Sequence, residues 1–110
     1  EAFANLLDEV GDLDLVVSLA RTFLTELPRR VSVIVQSGSD QEAIQLAAHT
    51  LKSASLMVGA EPLGLIAGLI EGAVRDRSSV TTATQADLHA AAESAENEVS
   101  ALIERLENAQ

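Results

Sequence analysis

The sequence predicts an all-α fold, a bundle of amphipathic helices in one domain. Three observations lead there. Apolar residues recur at three- and four-residue intervals along most of the chain, the spacing of one helix face. Strong helix formers are plentiful, and only two prolines interrupt 110 residues. The hydrophobic fraction is 47% but aromatics are 2%, so the core must be built from Leu, Ile, Val and Ala. A chain of this length can enclose a single core.

Ala2 to Val10 places Phe3, Leu6, Leu7 and Val10 at helical spacing and reads as a short first helix. Gly11 can end it, and Asp12 or Asp14 can cap the next helix. This second helix runs from about Leu13 to Gln36, with Leu13, Val16, Val17, Ala20, Phe23, Leu24, Leu27, Val31 and Ile34 in one stripe. Pro28 lies inside it, which predicts a kink near Leu24 to Pro28 or two abutting helices. Ser37-Gly38-Ser39-Asp40 reads as a turn, and Ser39 with Glu42 fits a capping box. A third helix then runs from Asp40 to about Val58, with Gly59 placed to end it. Pro62 suits the first turn of a fourth helix reaching about Asp76.

In that fourth helix Gly64, Gly68 and Gly72 recur every fourth residue. Such a face serves either membrane-helix pairing or close packing in a soluble bundle. Close packing is expected, because the most apolar stretch, Leu56 to Ile70, is short and contains Glu61 and Pro62. Asp76 to Thr84 is polar and reads as a loop, and Thr84 with Asp87 resembles a second capping box. The last helix carries Leu88, Ala92, Ala95, Val99, Leu102 and Leu106, the four-three seam of an antiparallel bundle or a coiled coil.

Charge and composition exclude several functions. A formal net charge of -10 argues against nucleic acid and anionic lipid, which call for basic patches. Without cysteine there is neither a disulfide framework nor a thiolate metal site. No signal peptide is visible, and no contact of this segment with membrane is expected. The expected location is the cytoplasm. The acidic runs Asp8 to Asp14 and Glu93 to Glu107 read as solvated faces. The chain begins at Glu1 rather than a methionine, which leans toward one domain, residues 1–110, of something larger.

The residues that carry chemistry lie in the third helix. Lys52, the only lysine, comes three residues after His49, one of two histidines. Residues three apart share a helix face, so an imidazole and a cation stand together in an acidic chain. With Ile44 as zero on a helical wheel, Ala47, Leu51, Ala54 and Val58 fall at about 300°, 340°, 280° and 320°. His49 falls at about 140°, opposite this stripe, and should face solvent. Lys52 (about 80°), Gln45 (about 100°), Leu56 (about 120°), Ser53 (about 180°) and Leu46 (about 200°) surround it. Leu46 and Leu56 form a docking patch for a partner protein, or are covered by another helix of the bundle.

An exposed neutral imidazole can attack phosphorus through an unprotonated ring nitrogen. A neighbouring ammonium offsets the dianion that results. Ser53 can donate a hydrogen bond to that group, and its small side chain leaves room for a partner's active site. Other chemistries lack their parts. A di-iron site of the Glu-x-x-His type needs a glutamate three residues before the histidine, and Leu46 and Ala86 stand there. Ser53 and Ser55 flank Lys52, but no oriented base can be argued for a hydrolase. His89, with no cation within a turn, reads as a solvated surface residue.

Ala48-His49-Thr50-Leu51-Lys52-Ser53, with Gly59-Ala60 further on, resembles the signature of histidine phosphotransfer (HPt) domains. That pattern reads roughly His-x-Leu-Lys-Gly-Ser and, later, glycine-alanine. The helix order and length resemble the family over nearly the whole chain. The resemblance implies a monomeric, antiparallel, up-down four-helix bundle with a short additional N-terminal helix. It implies a phosphocarrier in a two-component phosphorelay rather than an enzyme. His49 matches the phosphoacceptor and Lys52 the basic residue of the motif. The partners implied are response-regulator receiver domains and a hybrid sensor histidine kinase. The chain itself is expected to need no cofactor or metal, since the receiver supplies magnesium. Two positions depart from the pattern: Ser53 stands where glycine is usual, and Ala54 where serine is usual. That bears on rate and partner fit. The rival expectation is a helical interaction module that carries no phosphate.

Overall fold

The computed structural model describes residues 13–36, 40–78 and 80–108. Among them are four helices and no strand: α1 (Leu13–Gln36), α2 (Gln41–Met57), α3 (Glu61–Arg75) and α4 (Thr82–Asn108). The short helix expected over Ala2 to Val10 lies outside the described residues, as does Ser39.

Several of the helix ends have identifiable causes. α1 buries Val16, Val17, Ala20, Phe23, Leu27, Val31 and Ile34, with Leu13 and Leu24 at the margin of the stripe. It continues through Pro28, so the alternative of two abutting helices is overturned. Pro28 is exposed, and its ring projects away from the core. α2 is capped by Asp40, whose side chain accepts from the Ala43 amide at 3.1 Å. The cap therefore sits one residue after the expected Ser39, and a carboxylate there also suits the positive end of the helix dipole.

At its other end the Ala60 amide donates to the Ser55 carbonyl at 2.8 Å and that of Gly59 to Leu56 at 3.3 Å. Gly59 adopts φ 82°, the left-handed conformation this stop requires. α3 ends the same way, with Arg77 at φ 61° in the place glycine takes in α2. α4 begins at Thr82, so its cap falls three residues before the expected Thr84. Thr81 is its cap, accepting from the Thr84 amide at 3.1 Å, so the Thr84–Asp87 box is not used. Its buried seam is Leu88, Ala92, Ala95, Val99 and Ile103. The expected Leu102 and Leu106 are only partly buried, because a straight helix drifts away from a strict heptad.

Short connections make sequential helices antiparallel neighbours. α1 packs on α2 and α4, and α3 packs on α2 and α4. The result is a four-helix bundle with an aliphatic core, in which Val16, Leu27, Leu51, Leu63, Ile70 and Leu88 are fully buried. No helix among the described residues is long and apolar enough to cross a membrane.

α2 and α3 form the most extensive contact, and two glycines permit it. A Cβ on Gly64 would stand 2.9 Å from Leu56 Cδ2, and one on Gly68 would stand 3.3 Å from Lys52 Cδ. The close packing expected of the glycine series is thus met at these two positions. Gly72 instead faces Arg75 of its own helix.

Candidate functional site

The site is built where α2 and α3 lie side by side. α2 buries Ile44, Ala47, Ala48, Leu51 and Ser55, with Val58 after its last turn. Ala54, expected in this stripe, is only partly buried. Ala48 and Ser55 fall at about 40° and 20° on the wheel used above, so the core face is turned toward them. The same turn brings Lys52 to the edge of the core, on the flank against α3, and leaves His49 outward. The His49 side chain is 58% exposed and that of Lys52 35%. Ser55 Oγ is buried, with no hydrogen-bond partner among the described residues.

Between the two stands a residue that sequence reasoning missed. Glu71 of α3 accepts from Lys52 Nζ through Oε1 and bonds His49 Nδ1 through Oε2, each at 2.6 Å. Its side chain is 14% exposed. One carboxylate therefore joins the cation to the imidazole across the helix pair. The hydrogen bond from Lys52 holds the Glu71 carboxyl below its ordinary pKa, aided by the bond to His49 and opposed by burial. An ionised carboxylate only accepts, so Nδ1 carries the proton and donates it. The lone pair of neutral His49 is then on Nε2, the ring nitrogen away from Glu71.

A signal for Glu71 was present. It is the only charged residue between Pro62 and Val74. On a wheel of α3 it falls within about 60° of Gly64 and Gly68, the glycines that face α2. A lone acid on a close-packed face needs a partner, because burying an unpaired charge is costly.

The other expected residues surround this centre unevenly. Glu42, Gln45, Leu46, His49 and Glu71 line a shallow depression. Gln45 and Leu46 thus border His49, and Leu46 is 68% exposed. Leu56 is 49% exposed and leans on Gly64, so α3 covers part of it. Ser53 is exposed. Leu65 and Leu69 of α3 add two exposed leucines that were not singled out from the sequence. His89 is exposed on α4, where no side chain among the described residues bonds to it. The described residues contain no cluster of His, Asp or Glu suited to hold a metal ion.

The arrangement offers an exposed nitrogen nucleophile, a carboxylate behind it to hold the ring, and an ammonium beside it for an incoming anion. Comparison with known proteins agrees with that reading. No curated protein and no solved structure matches the chain. The family model described as Hpt domain matches residues 18–109, a span that includes all four helices apart from the first turn or so of α1. Proteins of that family serve phosphotransfer in phosphorelays, where they meet receiver domains and kinases. The chain belongs to the Hpt domain family.

Proposed function

We propose that this domain carries phosphoryl groups on His49, accepting them from the aspartyl phosphate of a receiver domain and passing them to another. The observation that carries the reading is the 2.6 Å bond between His49 Nδ1 and Glu71, which reserves Nε2 for attack. In the transfer, Nε2 forms a bond to phosphorus, and the bond from phosphorus to the aspartate oxygen breaks, releasing the carboxylate. The ring becomes cationic while it keeps the Nδ1 proton, and Glu71 offsets that charge. The incoming phosphoryl group brings about two negative charges to an acidic protein. The Lys52 ammonium has three N–H donors and spends one on Glu71, leaving donors to receive a phosphoryl oxygen. Ser53, exposed one turn along from His49, is a further donor.

In this reading the domain is a substrate of its partners and not a catalyst. Magnesium resides on the receiver. Gln45, Leu46 and Leu56 form the docking surface, with Leu46 its most open apolar side chain. We assign the domain to the cytoplasm, as a monomer working with receiver domains and a hybrid sensor kinase.

The test is incubation with a phosphorylated receiver domain and then analysis of the label. Acid-labile, base-stable phosphate on His49, lost in His49→Gln, is the expected outcome. Label retained by His49→Gln overturns the assignment. A receiver that binds without transferring label leaves the interaction module as the correct reading.

A further inference from the structure

We infer that Gly68 is a positioning residue for phosphoryl transfer: its missing side chain is the notch in α3 that seats the Lys52 stem, so that the ammonium stands beside His49. The inference rests on the reading of His49 as phosphoacceptor. Lys52 leaves α2 on the flank facing α3, and Gly68 stands opposite. A Cβ at position 68 would lie 3.3 Å from Lys52 Cδ, tighter than ordinary carbon–carbon contact. Three residues further along the same helix face, Glu71 takes the ammonium at 2.6 Å. The two ends of one side chain are thus held by two residues of α3. Gly68 supplies the room for the stem, and Glu71 supplies the charge for the head.

A methyl group at position 68 would push Cδ away by a few tenths of an ångström. A flexible stem yields to that at little cost in stability. The ammonium at its end would move relative to the imidazole and to the oxygen it has to meet. Glycine within a helix is disfavoured relative to alanine, so helix propensity alone gives no reason for it here. Gly64 differs, because the side chain it accommodates is the apolar Leu56.

The experiment is Gly68→Ala, alone and with Lys52→Ala, measured as single-turnover transfer from a phosphorylated receiver domain and as thermal melting. Gly68→Ala should keep or raise the melting temperature, because alanine is the better helix former. Its maximal transfer rate should fall about three- to tenfold, since small displacements of a group that meets the reacting phosphate are expensive in rate. The receiver concentration at half-saturation should not change. On the Lys52→Ala background the same substitution should produce no further loss, because the group it acts through is gone. A further loss there would mean that the methyl blocks the receiver directly, and would overturn the inference. A Gly68→Ala protein that transfers as fast as an equally labelled wild type sinks this inference alone. A wild type that takes no label on His49 sinks the phosphoacceptor reading as well.

Discussion

The two histidines stand in similar positions and in different company. His49 and His89 both lie on outward faces of long helices, α2 and α4. His89 borders a groove beside Pro28 and Val31 of α1, with Glu93 and Glu96 on its own helix, and none of these bonds to it. Across from His49, the neighbouring helix presents a carboxylate that fixes the ring and is itself held by Lys52. Exposure makes an imidazole reachable. A fixed proton on one nitrogen makes the other a directed nucleophile, and only His49 has both. The difference originates in helix spacing, since α3 approaches α2 over Gly64 and Gly68.

That contrast can be broken most severely at the histidines. His49→Gln should remove all transferable label and His89→Gln should remove none, as read by acid-labile phosphate after mixing with a phosphorylated receiver. Equal loss in both would mean that the cross-helix carboxylate confers no distinction.

The next largest effect should come from the carboxylate. Glu71→Gln keeps the shape and an acceptor oxygen for Nδ1–H but loses the charge that offsets the cationic ring. Transfer to His49 should slow about ten- to a hundredfold, the range seen when the carboxylate that orients a metal-ligating histidine is altered. Lys52→Ala should come next, slowing transfer or shortening the life of the phosphoprotein without unfolding the bundle. Unchanged kinetics would remove the ammonium from the mechanism.

Leu46→Glu probes docking and not chemistry. It places a charge on the rim of the depression beside His49. The receiver concentration at half-maximal rate should rise several-fold while the maximal rate stays within about twofold, as expected for loss of contacts that do not change in the transition state. A fall in the maximal rate alone would place Leu46 outside the docking surface.

The smallest effect is on stability against pH. The folded-state pKa of Glu71 lies below its ordinary value, so its pairing contributes fully above the unfolded carboxylate pKa of about 4.3. That contribution is lost as pH falls through the lowered folded value. Denaturation midpoints of wild type and Glu71→Gln should therefore differ near neutrality and converge in acid. A gap that stays constant with pH would show that the two proteins differ for another reason. The gap should be modest, because His49 and Lys52 remain partly open to solvent.

What could be read before folding has a clear pattern. The stripes of α1 and α2, the stop at Gly59 and the outward direction of His49 come from spacing within one element, and helical geometry transmits such spacing reliably. The cap moved by one residue, from Ser39 to Asp40, in α2 and by three, from Thr84 to Thr81, in α4. Several neighbouring polar side chains can serve there, and local geometry chooses among them. The two leucines near His49 were only half legible. Spacing placed both Leu46 and Leu56 near His49, but α3 decided that Leu56 would lean on Gly64 while Leu46 remained open.

By itself the sequence determined an aliphatic helical bundle, an outward His49 and a Lys52 one turn along the same helix, because helical periodicity and residue chemistry act over a few neighbouring positions. Tertiary structure decided that Glu71, nineteen residues beyond Lys52 in the chain, would bridge that pair. The choice depends on how closely two helix axes approach and in which register. Two glycines permit that approach; spacing within α3 puts Glu71 on the glycine face, but only the register between the two helices sets it opposite His49.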